Sequence, residues 1–260
     1  MTGIHAENDG KTASLSRPRL AGYDDDPLMP TRALIFDFDG LILDTEVPQF
    51  TSWGEVFAEH GLALPESTWA DIIGRPNNSF NFLAHLEQLA GREIERDTVR
   101  ARRRARCDAL IAAQPLLPGV EQYLNDARHL GLRLAVASSS PRSWVAGHLE
   151  RFGLLPLFAS VTCFEDTTAH KPDPAPYRAA LAALGVAPHE AVAFEDAPHG
   201  IAAARAAGIF TVAVPNPITR GLDLSQAHLR IDSLAAMPLA DLLARADRCP
   251  ECGTPVATQT

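Results

Sequence analysis

The sequence has no long apolar run, few cysteines and little positive charge. None of its apolar runs approaches the roughly 20 residues of a membrane-spanning helix, and residues 1–20 contain no apolar core of the signal-peptide kind. Four cysteines in 260 residues do not suggest a disulfide-stapled domain. The formal net charge of -9 argues against nucleic acid or an anionic membrane as the main partner, since both need a positive surface. We therefore expect a cytoplasmic protein, and a small anionic substrate remains compatible with its charge.

Apolar runs that end in polar residues recur along the chain and alternate with helical segments. The runs are RALIFD, LRLAVASSS, ASVTCFED, EAVAFED and GIFTVAVP. The helical segments end at glycines, as helices commonly do: Gly131, Gly153, Gly185 and Gly208. Runs this apolar are typical of strands buried on both faces. The alternation predicts an α/β fold, a doubly wound, Rossmann-like parallel sheet.

One interval, from Glu46 to about Leu117, shows only helical periodicity. We interpret it as an all-helical cap inserted after the first strand, with QPLLPGV marking the return to the core. The arginine-rich RARRRARC within it is short and lies in an acidic protein, so we expect a solvated helix face. The predicted division is a disordered leader at 1–30, an α/β core at 31–46 and 118–246, a cap at 47–117 and a flexible tail at 247–260.

Four acids lie within ten residues, directly after the first apolar run: Asp37, Asp39, Asp44 and Glu46. Clustered carboxylates repel one another and are costly to desolvate, so folding alone does not account for them. Other polar groups follow the later runs: Ser138, Lys171, Glu195 and Asp196. Because ligands bind beyond the carboxyl ends of parallel strands, we expect all these groups to converge.

Each cluster also has an ordinary structural explanation. A serine at a strand end is commonly a helix N-cap, and Ser140 before Pro141 fits that role. KPDP is commonly a loop before a helix starting at Pro174, and an acidic pair is commonly a surface feature. The acids of DFDG fit such explanations least. Taken together, in this order and all at strand ends, the clusters favour a site.

The residue types indicate the chemistry. Several carboxylates around one point need a hard cation, and oxygen ligands suit Mg²⁺. A lysine and a serine hydroxyl suit a phosphoryl group. A carboxylate can attack phosphorus to form an acyl-phosphate, and a second carboxyl nearby can protonate the leaving oxygen and then activate water. The pattern therefore favours phosphoryl transfer.

At this point the sequence resembles the haloacid dehalogenase superfamily. DFDGLILDTE, ASSS, HKPDP and FEDAPHGIAAARAAG are similar to its four motifs, in the same order, over about residues 33–232. The position of the cap is similar to that of the β-phosphoglucomutase-like branch. The resemblance implies a metal-dependent enzyme that acts through an aspartyl-phosphate.

The resemblance also implies roles for individual residues. Asp37 would be the nucleophile and a Mg²⁺ ligand, and Asp39 the general acid/base with its backbone carbonyl on the metal. Ser138 would hold phosphoryl oxygens, and Lys171 would pair with the phosphate and the nucleophile. The remaining metal residues would be Asp196 and, in support, Glu195. Gly40 would let the chain turn sharply beside the site.

Substrate recognition is expected to come from the cap and the serine loop. The candidate residues there are Glu46, Arg75, Asn77, Asn78, Ser139 and Arg142. Asp44 is expected to hold its loop rather than take part in chemistry. Pro76, Asn77 and Asn78 are equally compatible with a simple turn and helix cap.

Four reactions fit the scaffold: a phosphatase, a sugar-phosphate mutase, a dehalogenase and a non-catalytic relative. Asp39 counts against the dehalogenase, and the complete motif set counts against loss of catalysis. β-Phosphoglucomutase has a histidine where this chain has Gln49, which favours hydrolysis. We predict a Mg²⁺-dependent phosphatase for a small phosphomonoester, a sugar or polyol phosphate, with the mutase as the alternative.

The motif RCPECG carries a Cys-x-x-Cys pair, Cys249 and Cys252. Such pairs form half of a zinc ribbon, but zinc normally takes four ligands and no second pair is visible. We expect a tail with an idle or redox-labile pair, and Mg²⁺ is the one cofactor predicted.

Overall fold

The computed structural model describes residues 31–70, 72 and 80–249, which contain a six-stranded parallel sheet. The strands are β1 (Ala33–Phe36), β2 (Arg133–Ala137), β3 (Ser160–Thr162), β4 (Ala191–Glu195), β5 (Phe210–Ala213) and β6 (Leu229–Arg230). Their order in the sheet is β3-β2-β1-β4-β5-β6, and every pair is parallel. The predicted α/β Rossmann-like sheet is confirmed. The short edge strand β6 was missed, because two residues carry no readable pattern.

Helices cover both faces of the sheet and also form the inserted segment. Their bounds are α1 (Glu46–Glu59), α2 (Glu66–Ala70), α3 (Phe82–Ala90), α4 (Arg96–Ala112), α5 (Val120–His129), α6 (Arg142–Arg151), α7 (Ala175–Leu184), α8 (Pro198–Ala206) and α9 (Leu239–Ala246). Helices α5, α6 and α9 pack on one face, and α7 and α8 pack on the other. Among the described helices, none is both long and apolar enough to cross a bilayer.

Strand β1 lies at the centre of the sheet, and all four of its residues are fully buried. Alternate side chains point to opposite faces, as the period of a strand requires. Phe36 stacks on Phe194 of β4 with ring centroids 4.8 Å apart, on the face covered by α5 and α9. Ala33 and Ile35 face α7 and α8, where most of the partners are alanines. The small side chains let these two helices lie close to the sheet.

Helices α1 to α4 lie between β1 and β2 in the chain and have an apolar core of their own. Its buried residues are Val56, Phe57, Leu64, Trp69, Leu83, Leu86 and Val99. The two linkers to the α/β core run side by side: Leu43 forms an antiparallel bridge with Leu116, and the Leu117 N–H donates to the Ile42 carbonyl at 3.0 Å. The helical segment thus packs around its own apolar cluster and is joined to the α/β core by two adjacent linkers.

The arginine-rich face of α4 lies on the surface of this unit. Five of its arginines form exposed ion pairs, Arg96–Glu87, Arg100–Asp97, Arg102–Glu59, Arg104–Asp108 and Arg106–Glu55. Exposed pairs of this kind contribute about 0–1 kcal/mol each. Arg103 instead turns toward α1, where its Nε donates to the Ser52 hydroxyl at 3.1 Å. The run is therefore mainly a solvated face, as expected.

The chain following α9 remains packed for three residues. The Asp247 carboxylate accepts hydrogen bonds of 2.7 Å from both the backbone N–H and the hydroxyl of Thr31. Cys249 is half-buried against the main core. Residues 247–249 of the predicted tail, 247–260, therefore pack on the core, because Asp247 bonds to Thr31, two residues before β1. Cys252 and the leader at 1–30 lie outside the described residues.

Replacing Phe36 by alanine should lower the free energy of unfolding by about 3–5 kcal/mol, because a large fully buried ring leaves a cavity beside Phe194. Phe164→Ala is the matched control. That ring is 47% exposed, and its loss should cost less than about 1 kcal/mol. Urea unfolding of both variants measures the difference. Equal losses would show that the Phe36–Phe194 contact does not anchor the sheet.

Candidate active site

The polar clusters lie at the carboxyl ends of adjacent strands. Asp37 directly follows β1, Ser138 follows β2, Glu195 ends β4 and Asp196 comes next. Lys171 enters from the long connection between β3 and α7. Since β1 lies between β2 and β4, these positions surround the point where the strand order reverses, which is where open α/β sheets bind ligands.

Lys171 lies between two carboxylates. Its Nζ is 2.7 Å from Asp37 Oδ1 and 2.6 Å from Glu195 Oε1, and its side chain is only 9% exposed. Burial alone would disfavour the ammonium, but the charges of Asp37 and Glu195 outweigh it and raise the pKa of Lys171. The lysine is therefore held as a cation against the residue predicted to be the nucleophile.

Three buried carboxylates form a compact group. Oxygens of Asp37, Glu195 and Asp196 lie within 4.8 Å of one another. Burial, reinforced by mutual repulsion, raises the pKa of Asp37, brings that of Glu195 to about 7 and holds that of Asp196 well above its ordinary value. One lysine does not balance three anions. A divalent cation with a preference for oxygen fits this donor set, since it would offset the remaining charge.

Residues that the sequence analysis did not identify as part of the site hold these carboxylates in place. The Tyr177 hydroxyl donates to Glu195 Oε1, and the Asn216 amide donates to Asp196 Oδ2 at 2.7 Å. A side chain at Gly200 would collide with the Glu195 carboxylate. Tyr177 follows HKPDP closely and Gly200 lies within the last motif, but nothing in the sequence shows which carboxylate they contact. Asn216 lies beyond every motif.

The turn after Asp37 has the tight geometry predicted from its glycine. Gly40 has φ +76°, and its carbonyl accepts from the Asn216 amide at 3.2 Å. A Cβ there would meet the Asp196 carboxylate and, at 2.6 Å, the Asn216 nitrogen. Glycine therefore lets the loop pass directly over the carboxylate cluster.

Asp39 lies outside that three-carboxylate group and faces the start of α6. Its Oδ2 accepts from the Ser140 hydroxyl at 2.6 Å, and its Oδ1 accepts from the Trp144 indole N–H at 2.9 Å. The alternative explanation of Ser140 as a helix cap does not hold, because its hydroxyl is directed to Asp39. Pro141 occupies the N-cap position of α6, and its side chain makes no capping hydrogen bond. Trp144 was not recognised as a site residue.

The serine loop presents hydroxyls beside the cluster. Ser138 is buried, and its Oγ accepts from the Ser140 N–H at 3.0 Å, which leaves its own proton to donate to a ligand. The Ser139 hydroxyl is buried without a hydrogen-bond partner among the described residues. Arg142 is already engaged, since its guanidinium lies 2.5 Å from Asp166. Of these two weaker candidates, Ser139 is the better placed to meet a substrate.

On the cap side, Glu46 is the first residue of α1 and faces the acids of the core. Burial and the charges of Asp39, Asp44 and Asp37 raise the pKa of Glu46 to about 8. Asp44 accepts from the Val47 N–H at 3.0 Å, so it holds the start of α1, as expected. The candidates Arg75, Asn77 and Asn78 lie outside the described residues.

Residues 34–214 match the family model of haloacid dehalogenase-like hydrolases. The chain therefore belongs to that family, as its four motifs predict. It is 42% identical over 212 residues to the protein YhcW of Bacillus subtilis (strain 168), covering 82% of this chain and 96% of YhcW. It is 31% identical over 180 residues to the phosphorylated carbohydrates phosphatase of Thermotoga maritima, covering 68% of this chain and 82% of that enzyme.

A solved structure has the same fold. CbbY from Rhodobacter sphaeroides, crystallised as a variant in complex with xylulose-1,5-bisphosphate, superposes with a TM-score of 0.65 at 26% identity. The match covers 82% of this chain and 99% of CbbY.

Replacing Glu46 by glutamine should make stability less sensitive to pH. The pKa of about 8 in the folded state lies above the ordinary value of 4.5, so the wild-type protein loses stability as pH rises between these values. The variant has no titratable carboxyl at this position, so it does not lose stability in this way. Its free energy of unfolding relative to wild type should therefore increase by roughly 1–3 kcal/mol between pH 5 and pH 8.5.

Urea unfolding in the presence of a chelator measures this difference, and Glu121→Gln on the exposed surface of α5 controls for removal of a charge in general. If Glu46→Gln and wild type follow parallel pH curves, Glu46 is not held as a neutral carboxyl.

Proposed function

We propose that the protein is a Mg²⁺-dependent phosphatase that hydrolyses a small phosphomonoester through an aspartyl-phosphate on Asp37. The observation that carries the proposal is the buried clamp of Lys171 between Asp37 and Glu195, with Asp196 in the same group of carboxylates. The chain is a phosphoric monoester hydrolase, because it belongs to a hydrolase family and its relatives include a named phosphatase.

Asp37 is the proposed nucleophile. Lys171 holds Asp37 Oδ1, which leaves Oδ2 to attack phosphorus. The new bond joins Oδ2 to phosphorus while the bond from phosphorus to the substrate oxygen breaks. Lys171 and the Ser138 hydroxyl are proposed to bind the phosphoryl oxygens as this happens. Burial of the nucleophile strengthens these interactions, since water screens them poorly.

Asp39 is the proposed general acid and base. It gives a proton to the departing substrate oxygen and then takes one from the water that attacks the aspartyl-phosphate. The second step breaks the bond between phosphorus and Asp37 Oδ2, so Asp37 is regenerated and inorganic phosphate is released. Asp39 ends the cycle protonated, ready for the next substrate.

The residues that would hold Mg²⁺ are Asp37, Asp196, Glu195 and the backbone carbonyl of Asp39. The charge of the three-carboxylate cluster supports a divalent cation there. When bound, Mg²⁺ would offset the negative charge of the phosphoryl group and of the attacking carboxylate. Tyr177 and Asn216 would keep two of the ligands oriented.

The proposed substrate is a sugar or polyol phosphate. A phosphatase of phosphorylated carbohydrates among the relatives, and a sugar bisphosphate bound by CbbY, support a small hydroxylated metabolite. Ser139, Glu46 and Arg75 are the proposed contacts to its non-reacting part. A neutral Glu46 would both donate and accept hydrogen bonds with hydroxyl groups. The predicted cytoplasmic location stays a prediction.

Asp37→Asn should lower the rate of phosphate release from an aryl phosphate in the presence of Mg²⁺ by roughly 10³-fold or more, because the nucleophilic carboxylate is lost. Thermal unfolding establishes that the variant is folded. Asp97→Asn on the exposed face of the cap is the matched control and should keep full activity. Wild-type turnover by folded Asp37→Asn would exclude an aspartyl-phosphate at this residue.

Incubation with a hexose 1-phosphate separates hydrolysis from mutase action. We expect inorganic phosphate as the product, because Gln49 stands where β-phosphoglucomutase has histidine and its amide accepts from Arg103 at 3.4 Å. An amide cannot exchange a proton with substrate at neutral pH. Phosphorus NMR of the mixture distinguishes free phosphate from the hexose 6-phosphate. Accumulation of the 6-phosphate would establish the mutase.

A further inference from the structure

Both oxygens of Asp39 are engaged by donors of different kinds. Oδ1 accepts from the indole N–H of Trp144, and Oδ2 accepts from the hydroxyl of Ser140. An indole N–H can only donate, whereas a hydroxyl can donate or accept by rotating. The two carboxylate oxygens are therefore chemically distinct in this site.

The indole is seated firmly enough to impose this distinction. Trp144 lies in the first turn of α6, and its ring packs edge-on against His148, one turn later, with ring centroids 4.4 Å apart. His148 stacks in turn on Phe38, the residue before Asp39, at 6.0 Å. These contacts between three neighbouring rings, which end at Phe38 beside Asp39, thus hold the indole N–H toward the Asp39 carboxylate.

We infer that Trp144 is a positioning residue that decides which oxygen of Asp39 carries the transferred proton. This inference rests on the proposed role of Asp39 as general acid and base. A proton on Oδ1 would face the indole N–H, donor against donor, with no acceptor for either. A proton on Oδ2 would face Ser140 Oγ, which can accept it. Trp144 therefore confines the exchangeable proton to Oδ2 and prevents rotation of the carboxyl group.

The consequence differs between substrates. An alkyl phosphate releases a poor leaving group, so its cleavage needs a proton delivered from one defined position. A nitrophenyl phosphate releases a stabilised phenolate and needs the acid far less. Loss of the indole N–H should therefore slow cleavage of the alkyl ester more than that of the aryl ester, while substrate binding is unchanged.

Trp144→Phe removes the N–H and keeps an aromatic ring against His148. We expect kcat for a sugar or polyol phosphate to fall roughly 10- to 100-fold, with KM unchanged. The fold-decrease of kcat for 4-nitrophenyl phosphate should be at least about three times smaller than that for the sugar or polyol phosphate. Tyr123→Phe is the matched control. It removes the partly buried hydrogen bond from the Tyr123 hydroxyl to the Met237 carbonyl, which involves no group bonded to Asp39, and it should leave both values of kcat unchanged.

Asp39→Asn and the double variant complete the test. If Trp144 acts through Asp39, adding Trp144→Phe to Asp39→Asn should cause no further loss of kcat. A further loss as large as that in the wild-type background would overturn the inference. So would a uniform decrease for both substrate classes, which a merely structural role predicts. Full activity of Asp39→Asn would instead overturn the proposed function.

Discussion

The structure depends on one electrostatic constraint, the burial of three carboxylates around a single lysine at the end of β1 and β4. Charges this close together are costly away from water unless they are paired. Lys171 forms ion pairs with Asp37 and Glu195. At the end of β4, Asn216 donates a hydrogen bond to Asp196 and Tyr177 donates one to Glu195. The sheet supplies the rigidity that this requires, since β1 and β4 are adjacent, parallel and fully buried.

The same constraint explains where the chain can vary and where it cannot. Gly40 and Gly200 press backbone against Asp196 and Glu195, and any larger residue would displace a carboxylate. The alanine-rich packing of α8 brings Gly200 close enough for this contact. At these two glycines, the backbone thus packs directly against the carboxylates of the site.

Much of the core could be predicted from the sequence because its signals are local. Fully apolar runs that end in acids mark β1 and β4, and the positions of Asp37 and Asp196 follow from strand ends. Contacts made across the fold could not be predicted. Trp144 reads as an ordinary amphipathic helix residue, and Ser140 before proline reads as a cap. Their shared acceptor, Asp39, lies a hundred residues earlier in the chain, so only tertiary structure reveals it.

The paired linkers of the cap have a mechanical consequence. Leu43 bridges Leu116 and, through its carbonyl, accepts from the Gly40 N–H at 2.8 Å. The hinge of the cap is thereby fastened to the same short loop that carries Asp39 and crosses the carboxylate cluster. One backbone hydrogen bond therefore makes the linker to the helical unit continuous with the loop that carries the proposed acid and base.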